Sequence, residues 1–540
     1  MEQYDVIVIG AGPVGLVTSL DLAQRGVKVL TLERSFTPTH HPKMDITNGR
    51  TMELFRSLGI VGELRAVAVP VEHVLDVSWI STFDGQELHR FRYPSPAEYE
   101  RLSRSRNDGT FTAEAPMRVS QAVIEPALKT ILEREALATL RYGHAGEAVA
   151  ADDEGVTVTV ADRHNQDRTY HARARYLIGC DGGGSITRGA IGAEFEGRYR
   201  IMPRHMTHFR TRGPSLLNRW GHGWHFQSVH GTLISQNDFD IWTLHTRLPD
   251  DGPIPSPEEL VRRFVGFDLD FEILVENAWS PHLVVADQYQ KGRIFIAGDA
   301  CHQYIPTGGY GMNTGVADGL NISWKLAGVV RGEYGPAILD SYGPERHGVG
   351  QRNCLYSERH NDVRVAISSL YGESPQVFDP DPVHDGLRRK LGADIAALGN
   401  LENEATGIEY GYAYNSSCLN SADHELEICG RPEEYAPALV PGARLPHVYD
   451  EAGRPLIDRL GKGLTVLCQP QALARAEALS ARIKAKGVPV SQAELPASFT
   501  DLFPSAELLL LRPDHPLIWV GAQDDDPLLE AVLVRLAPQS

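Results

Sequence analysis

Tyr4-Asp5-Val6-Ile7-Val8-Ile9-Gly10-Ala11-Gly12-Pro13-Val14-Gly15 is the stretch on which the reading of the fold turns. A short apolar run closed by glycines predicts a strand buried in a parallel sheet. Gly10 suits a tight turn, Gly12 lets backbone approach a pyrophosphate, and Gly15 lets the next helix pack closely on the strand. Pro13 fits the first position of that helix, whose N-terminus would face the anion. The helix runs through Val17, Leu20 and Ala23 and stops near Gly26. A second strand, Val27 to Leu32, then delivers Glu33 and Arg34, and an acid there is placed for ribose hydroxyls. Strand, helix, strand and terminal acid together predict a dinucleotide-binding unit.

Bulk properties narrow the class. The chain has 540 residues, 70 acidic against 52 basic, for a formal net charge of −18. That length allows several domains with large cores. The acidic balance argues against nucleic acid as partner, and no apolar run is long enough for a bilayer. The first strand begins at once, without a signal peptide, so a cytoplasmic location is expected. Six cysteines lie scattered at 180, 301, 354, 418, 429 and 468. Without a Cys-x-x-Cys pair they suggest neither a disulfide framework nor a thiolate zinc site, and no metal is expected.

Outward from the first unit comes a proline-punctuated loop, Thr37 to Asp45, and then a helix from Gly49 to Gly59. A long loop after a cofactor fingerprint is a natural place for site residues, Lys43 and Asp45 among them. Arg118 and Gln121 would sit at the first turn of a helix through Val123, Leu128 and Ile131, within reach of a phosphate or a ring edge. A further apolar strand ends in Cys180-Asp181-Gly182-Gly183-Gly184. The span from about 196 to 290 carries Trp220, His222, Trp224, His225, Phe226, Trp242 and Trp279 among β-like segments. It predicts a sheet that covers the cofactor and lines an apolar pocket, with most of the aromatics in the core.

The third glycine cluster reads Gly298-Asp299-Ala300-Cys301-His302 and then Pro306-Thr307-Gly308-Gly309-Tyr310-Gly311-Met312-Asn313-Thr314-Gly315. A strand again ends in Gly-Asp, and a glycine-rich turn opens a helix whose amides can hold phosphate or ring oxygens. With these three clusters the chain resembles the single-component FAD-dependent aromatic hydroxylases, the group that contains para-hydroxybenzoate hydroxylase, over roughly residues 4–350. Thr47-Asn48-Gly49-Arg50-Thr51-Met52-Glu53 and Pro441-Gly442-Ala443-Arg444-Leu445-Pro446-His447 make it most similar to the phenol hydroxylase branch. The resemblance implies non-covalent FAD, with the Asp181-Gly182 cluster serving flavin and nicotinamide and Asp299 the ribityl chain. Lys43 stands where many relatives carry arginine, keeping the charge without the planar fork. No second Gly-x-Gly-x-x-Gly occurs, so NAD(P)H would bind transiently on the flavin domain.

The expected fold class is α/β: a Rossmann-like FAD domain with an interleaved β-sheet substrate domain (1–373, substrate segments about 70–115 and 196–290). A helical connector (374–435) and a thioredoxin-like C-terminal domain (436–540) complete it. The latter pattern is strand, helix, strand, strand, helix. With Cys468 alone it lacks a dithiol and is expected to be structural or to support a homodimer.

The implied activity is hydroxylation of a small phenolic substrate with NAD(P)H and O2 through a flavin C4a-hydroperoxide. The protein would position the ring, exclude water and manage the phenol proton. A Baeyer–Villiger or epoxidising enzyme on the same scaffold, and a flavin-containing binding protein without turnover, are the rival readings. A halogenase is disfavoured because no Trp-x-Trp-x-Ile-Pro occurs. Asp45 is the candidate for the proton, with His222, His225 and Tyr289 as candidate partners. The alternative for Asp45 is to cap the helix that follows it.

Overall fold

The structure is a computed structural model that describes residues 2–165, 168–213, 215–248, 253–416, 430–521 and 526–538. Cys418 and Cys429 lie outside the described residues. Strand Glu2–Ile9 pairs in parallel with Val29–Glu33 on one side and Arg168–Gly179 on the other. Ile294–Ile296 extends the sheet beyond Arg168–Gly179, and Ala138–Tyr142 extends it beyond Val29–Glu33. Val6, Ile7 and Val8 are wholly buried, which explains a continuous apolar run where a one-sided strand would alternate. The register sets Ile9 beside Leu32 and Gly179, and Gly179 beside Ile296. Glu33 and all three glycine clusters therefore meet at one edge of one sheet, as ligand sites at strand C-termini require.

Helix Tyr310–Val330 lies against helix Pro13–Gln24, and glycines bring the two together. A Cβ on Gly315 would sit 2.6 Å from Val14, and one on Gly319 would sit 2.0 Å from the Thr18 hydroxyl. Arg25 and Gly26 (φ +84°) end the first helix, with Val27 N–H donating to Leu22 O at 3.0 Å.

A second, seven-stranded sheet is built from residues 77–91 and 204–279. Phe209, Phe226, Leu233, Trp242 and Leu244 fill one face and pack with Leu260, Val261 and Phe264 of helix Pro257–Val265. The opposite face turns toward the long helix Tyr342–Glu373, where Trp79 meets Ile367 and Tyr371. A pocket wall of apolar character is not what this face provides. Its in-register rows are His225, Ile234, Thr243, His208 and Gln227, Thr232, His245, Met206. As expected for most of the aromatics, Phe226 and Trp242 lie in the core, because strand alternation sends them to the other side.

Near the C-terminus, Leu464–Cys468 pairs in parallel with Val490–Glu494 and antiparallel with Leu508–Leu511, which pairs with Leu517–Gly521. Val490–Glu494 and helix Ala497–Leu502 are absent from the sequence reading. The strand is a half-buried edge strand, Val-Ser-Gln-Ala-Glu, without apolar alternation to announce it. Cys468 is fully buried on its strand. Among the described residues no helix is long and apolar enough to cross a membrane.

Candidate active site

The cleft at the sheet edge begins with Gly10, whose φ is +101° and whose Cβ would lie 2.2 Å from Cys180 O. A Cβ on Gly15 would lie 1.9 Å from Gly10 O, so this glycine is needed for helix-on-strand packing. Gly12 differs: nothing lies within 4 Å of its Cβ position, and its φ of −69° is open to any residue. No side chain caps the helix it opens, and no acid sits in the first turn, so the first amides are left for an outside acceptor. Glu33 accepts from Ala11 N–H at 2.9 Å and from Ser35 N–H at 2.8 Å, which ties the strand end to the glycine turn. Arg34 is exposed beside it.

Across the cleft, Gly298 N–H donates to Asp318 at 3.2 Å, and Asp318 also holds His302 (2.8 Å) and Arg346 (2.7 Å). Burial opposes ionisation of Asp318, but Arg346 and His302 outweigh it and keep the carboxyl low. This buried triad fixes the loop that presents Asp299 to the cleft, where His302 and Lys43 are the charges facing it. Gly308 and Gly309 take φ of +85° and +66° after Pro306, and Gly309 opens the helix without a side-chain cap. Gly311 and Met312 follow, half-buried in the first turn.

Uncapped helix amides, a glycine facing empty space and an exposed Asp299 fit a pyrophosphate and a polyhydroxylated chain. Several expected ligands are used otherwise. Arg118 is buried and bidentate to Asp238 at 2.8 and 2.9 Å, so it does not reach a phosphate. Asp181 accepts from Ser185 Oγ (2.6 Å) and Thr187 N–H (3.1 Å), bracing the turn that holds Gly182 at φ +78°. Asn313 accepts from Asn48 N–H (3.0 Å) and donates to Gly309 O (2.7 Å), joining the two loops that wall the cleft. Gln121 donates to Glu125 at 3.1 Å, and Glu125 accepts from Thr39 N–H at 2.7 Å.

Asp45 does not cap the next helix. Asn48 does, accepting from Thr51 N–H at 2.9 Å. Asparagine directly before Gly49 is an N-cap signal that the sequence carried. Asp45 instead faces the second sheet, accepting from Trp224 Nε1 at 2.5 Å, with His225 Nε2 at 3.4 Å. Burial works against its charge, but His225, Trp224 and Arg118 prevail and hold its carboxyl below the ordinary value. His225 is 7% exposed, and its Nδ1 is buried without a partner among the described residues.

The other two candidates stand apart from this pair. Tyr289 is 1% exposed, packs against Tyr342 and His347, and its hydroxyl makes no hydrogen bond among the described residues. It belongs to the core between the first sheet and the long helix, and burial pushes its phenol up, away from proton exchange near neutrality. His222 is exposed, stacks on His73 at 3.8 Å between centroids, and stands 3.8 Å from the Asp238 carboxylate.

Residues 3–355 match the family model described as an FAD binding domain. The chain is 36% identical to the FAD-dependent monooxygenase apdD of Emericella nidulans, over 96% of this chain and 87% of that protein. It is 29% identical to a 4-methyl-5-nitrocatechol 5-monooxygenase of a Burkholderia species, covering 99% and 98%. Among solved structures, it superposes on the flavin-dependent monooxygenase PieE in complex with FAD and substrate (TM-score 0.88, 26% identity, 99% of both chains). RebC with bound 7-carboxy-K252c gives a TM-score of 0.87 at 28% identity over both whole chains.

Proposed function

The chain belongs to the FAD-dependent monooxygenases built on this FAD-binding domain, and on that premise we propose that it hydroxylates a phenolic ring, with His225 and Asp45 handling the phenol proton. When bound, FAD supplies the reducing and oxygen-transferring chemistry, with NAD(P)H and O2 as co-substrates. Gly12 and the first turn after it would receive the pyrophosphate, Glu33 a ribose, and Asp299 the ribityl chain.

The observation that carries the reading is the Asp45–His225 pair with its free Nδ1. An unperturbed carboxylate near 4 facing a phenol near 10 is mismatched by about 6 pKa units, roughly 8 kcal/mol. Asp45, held still lower, is not the base. It is suited instead to accept Nε2–H of His225, fix that tautomer, and balance the imidazolium when Nδ1 takes the proton. Trp224 shares the carboxylate and anchors it to the start of the same strand. The neutral faces of His208 and His245, both pushed down to about 4 by burial, leave the wall beside the pair uncharged at neutral pH.

The C-terminal sheet order, with its second strand at the edge and its third and fourth antiparallel, supports the thioredoxin-like reading of that domain. Its buried contacts suggest bracing: Arg444 pairs with Glu53, and Arg50 donates to His515 Nδ1 at 2.7 Å. The functional test is a panel of phenols added to FAD-loaded protein, following NAD(P)H oxidation and product mass. Stimulated oxidation with a hydroxylated product is expected. A panel that yields neither, with FAD bound, overturns the proposal.

A further inference from the structure

The side of the second sheet that carries His225 has a far end that the hydroxylation reading does not use. Arg204 lies there, in register with Arg247 on one neighbour strand and Trp279 on the other. Its alternation with Met206 and His208 puts it on the same face as His225, Gln227 and His245. The side chain is half-buried, its Nε is buried without a partner, and it forms no ion pair or hydrogen bond among the described residues. Guanidinium groups in such settings are normally paired.

Its surroundings do not neutralise it. Arg364, from the long helix, and Arg247, its in-register neighbour, are the cations that act on it. Arg364 spends its own charge on Glu402 at 2.7 Å and donates to Thr232 at 3.0 Å. Glu402 is further occupied by Gln227 at 3.3 Å. Burial together with Arg364 and Arg247 lowers Arg204 to about 10, which still leaves it cationic at neutral pH. Other unsatisfied buried atoms share this face with it, His225 Nδ1, Gln227 Oε1 and His245 Nδ1 among them. Buried polar atoms rarely go unmet, and several on one wall signal a polar ligand.

We infer that Arg204 is a second anchoring point of the substrate pocket, which takes an ionised oxygen group, such as a carboxylate, at the end of the aromatic substrate remote from the hydroxylated ring. This rests on the hydroxylation reading above for the identity of the other end. Two side-chain rows along the strands and three strand spacings across them separate Arg204 from His225. At about 3.4 Å per residue and 4.8 Å per strand this is roughly 20 Å between Cα atoms. That span suits a two- or three-ring acid better than simple phenol. Arg204 is therefore assigned a positioning role and no part in the proton transfer.

The test compares 4′-hydroxybiphenyl-4-carboxylate with its methyl ester on FAD-loaded wild type, Arg204→Gln and Arg204→Lys. Binding is measured by calorimetry and turnover by product formation. The acid should bind wild type roughly 10- to 100-fold more tightly than the ester, the range of one charge-assisted contact. Arg204→Gln should erase that preference by raising KM for the acid, with kcat and the ester unchanged within about twofold. Arg204→Lys should restore part of it. Equal binding of acid and ester by wild type, or a preference that survives in Arg204→Gln, overturns the inference. If the acid is bound through Arg204 but no phenol is hydroxylated, the anchoring point stands and the hydroxylation reading falls.

Discussion

Replacing Asp45 by Asn separates the two roles its position allowed. Asparagine keeps an oxygen for Trp224 Nε1 and removes the charge beside His225. The charge matters only when His225 becomes imidazolium, so the loss should fall on the transition state. At the 3.4 Å separation, Coulomb's law gives about 5 kcal/mol at an effective dielectric of 20 and about 2.5 at 40. Asp45 is 20% exposed, so the lower half of that range is the better expectation. The range corresponds to roughly 70- to 5,000-fold in turnover. FAD content and thermal midpoint should stay near wild type, because the helix cap is Asn48. Asn48→Ala is the opposite control and should cost about 1 kcal/mol of stability. The assay is product formed per flavin, with uncoupled peroxide measured in parallel. Asp45→Asn that keeps its turnover while losing stability would refute the proton role and restore the capping one.

Gly12→Ala should fold normally yet bind FAD poorly, whereas Gly15→Ala, whose Cβ meets Gly10 O at 1.9 Å, should lose folded protein. Flavin titration and melting curves on both variants check this, and equal defects in the two would contradict it. Asp299→Ala should weaken FAD binding roughly 10- to 150-fold, the worth of a charged acceptor at roughly 1.5–3 kcal/mol, read by apoprotein titration. Acid should destabilise the fold through His515, which burial and Arg50 push down to about 3. Its folded pKa lies below an unfolded value near 6.5, so the unfolded chain binds the extra proton and stability drains as pH falls from about 6.5 toward 3. Thermal midpoints should decline across that window, less steeply in His515→Gln, and a slope unchanged in that variant would exclude His515 as the cause.

The cofactor cleft was legible because its constraints are local. A buried parallel strand must be apolar throughout, its turn must be glycine, and the close packing at Gly15 leaves no alternative residue. What escaped the sequence depends on register between distant segments. Asp45 meets Trp224 and His225 only because strand His225–Ser228 lies beside Val77–Ile80, close to the loop that follows Glu33. Arg118 looked free because Asp238, its partner, lies in a turn more than a hundred residues away. Tyr289 sits next to a sheet strand, and no local pattern tells which side of the sheet its ring takes. The polar wall was misread for a related reason. Aromatic density marked the segment as a sheet, while the alternation that sends Phe226 and Trp242 inward also turns His225, Gln227 and His245 to the opposite face.

The most direct test of the account is oxygen labelling in wild type and His225→Gln. FAD-loaded enzyme, NAD(P)H and a phenol from the stimulating panel are mixed under heavy-isotope dioxygen, and the product is analysed by mass spectrometry. Wild type should place one heavy oxygen atom on the aromatic ring. His225→Gln should bind FAD and oxidise NAD(P)H while yielding hydrogen peroxide in place of labelled product. Product from wild type without the heavy atom, or full labelled yield from His225→Gln, would contradict it.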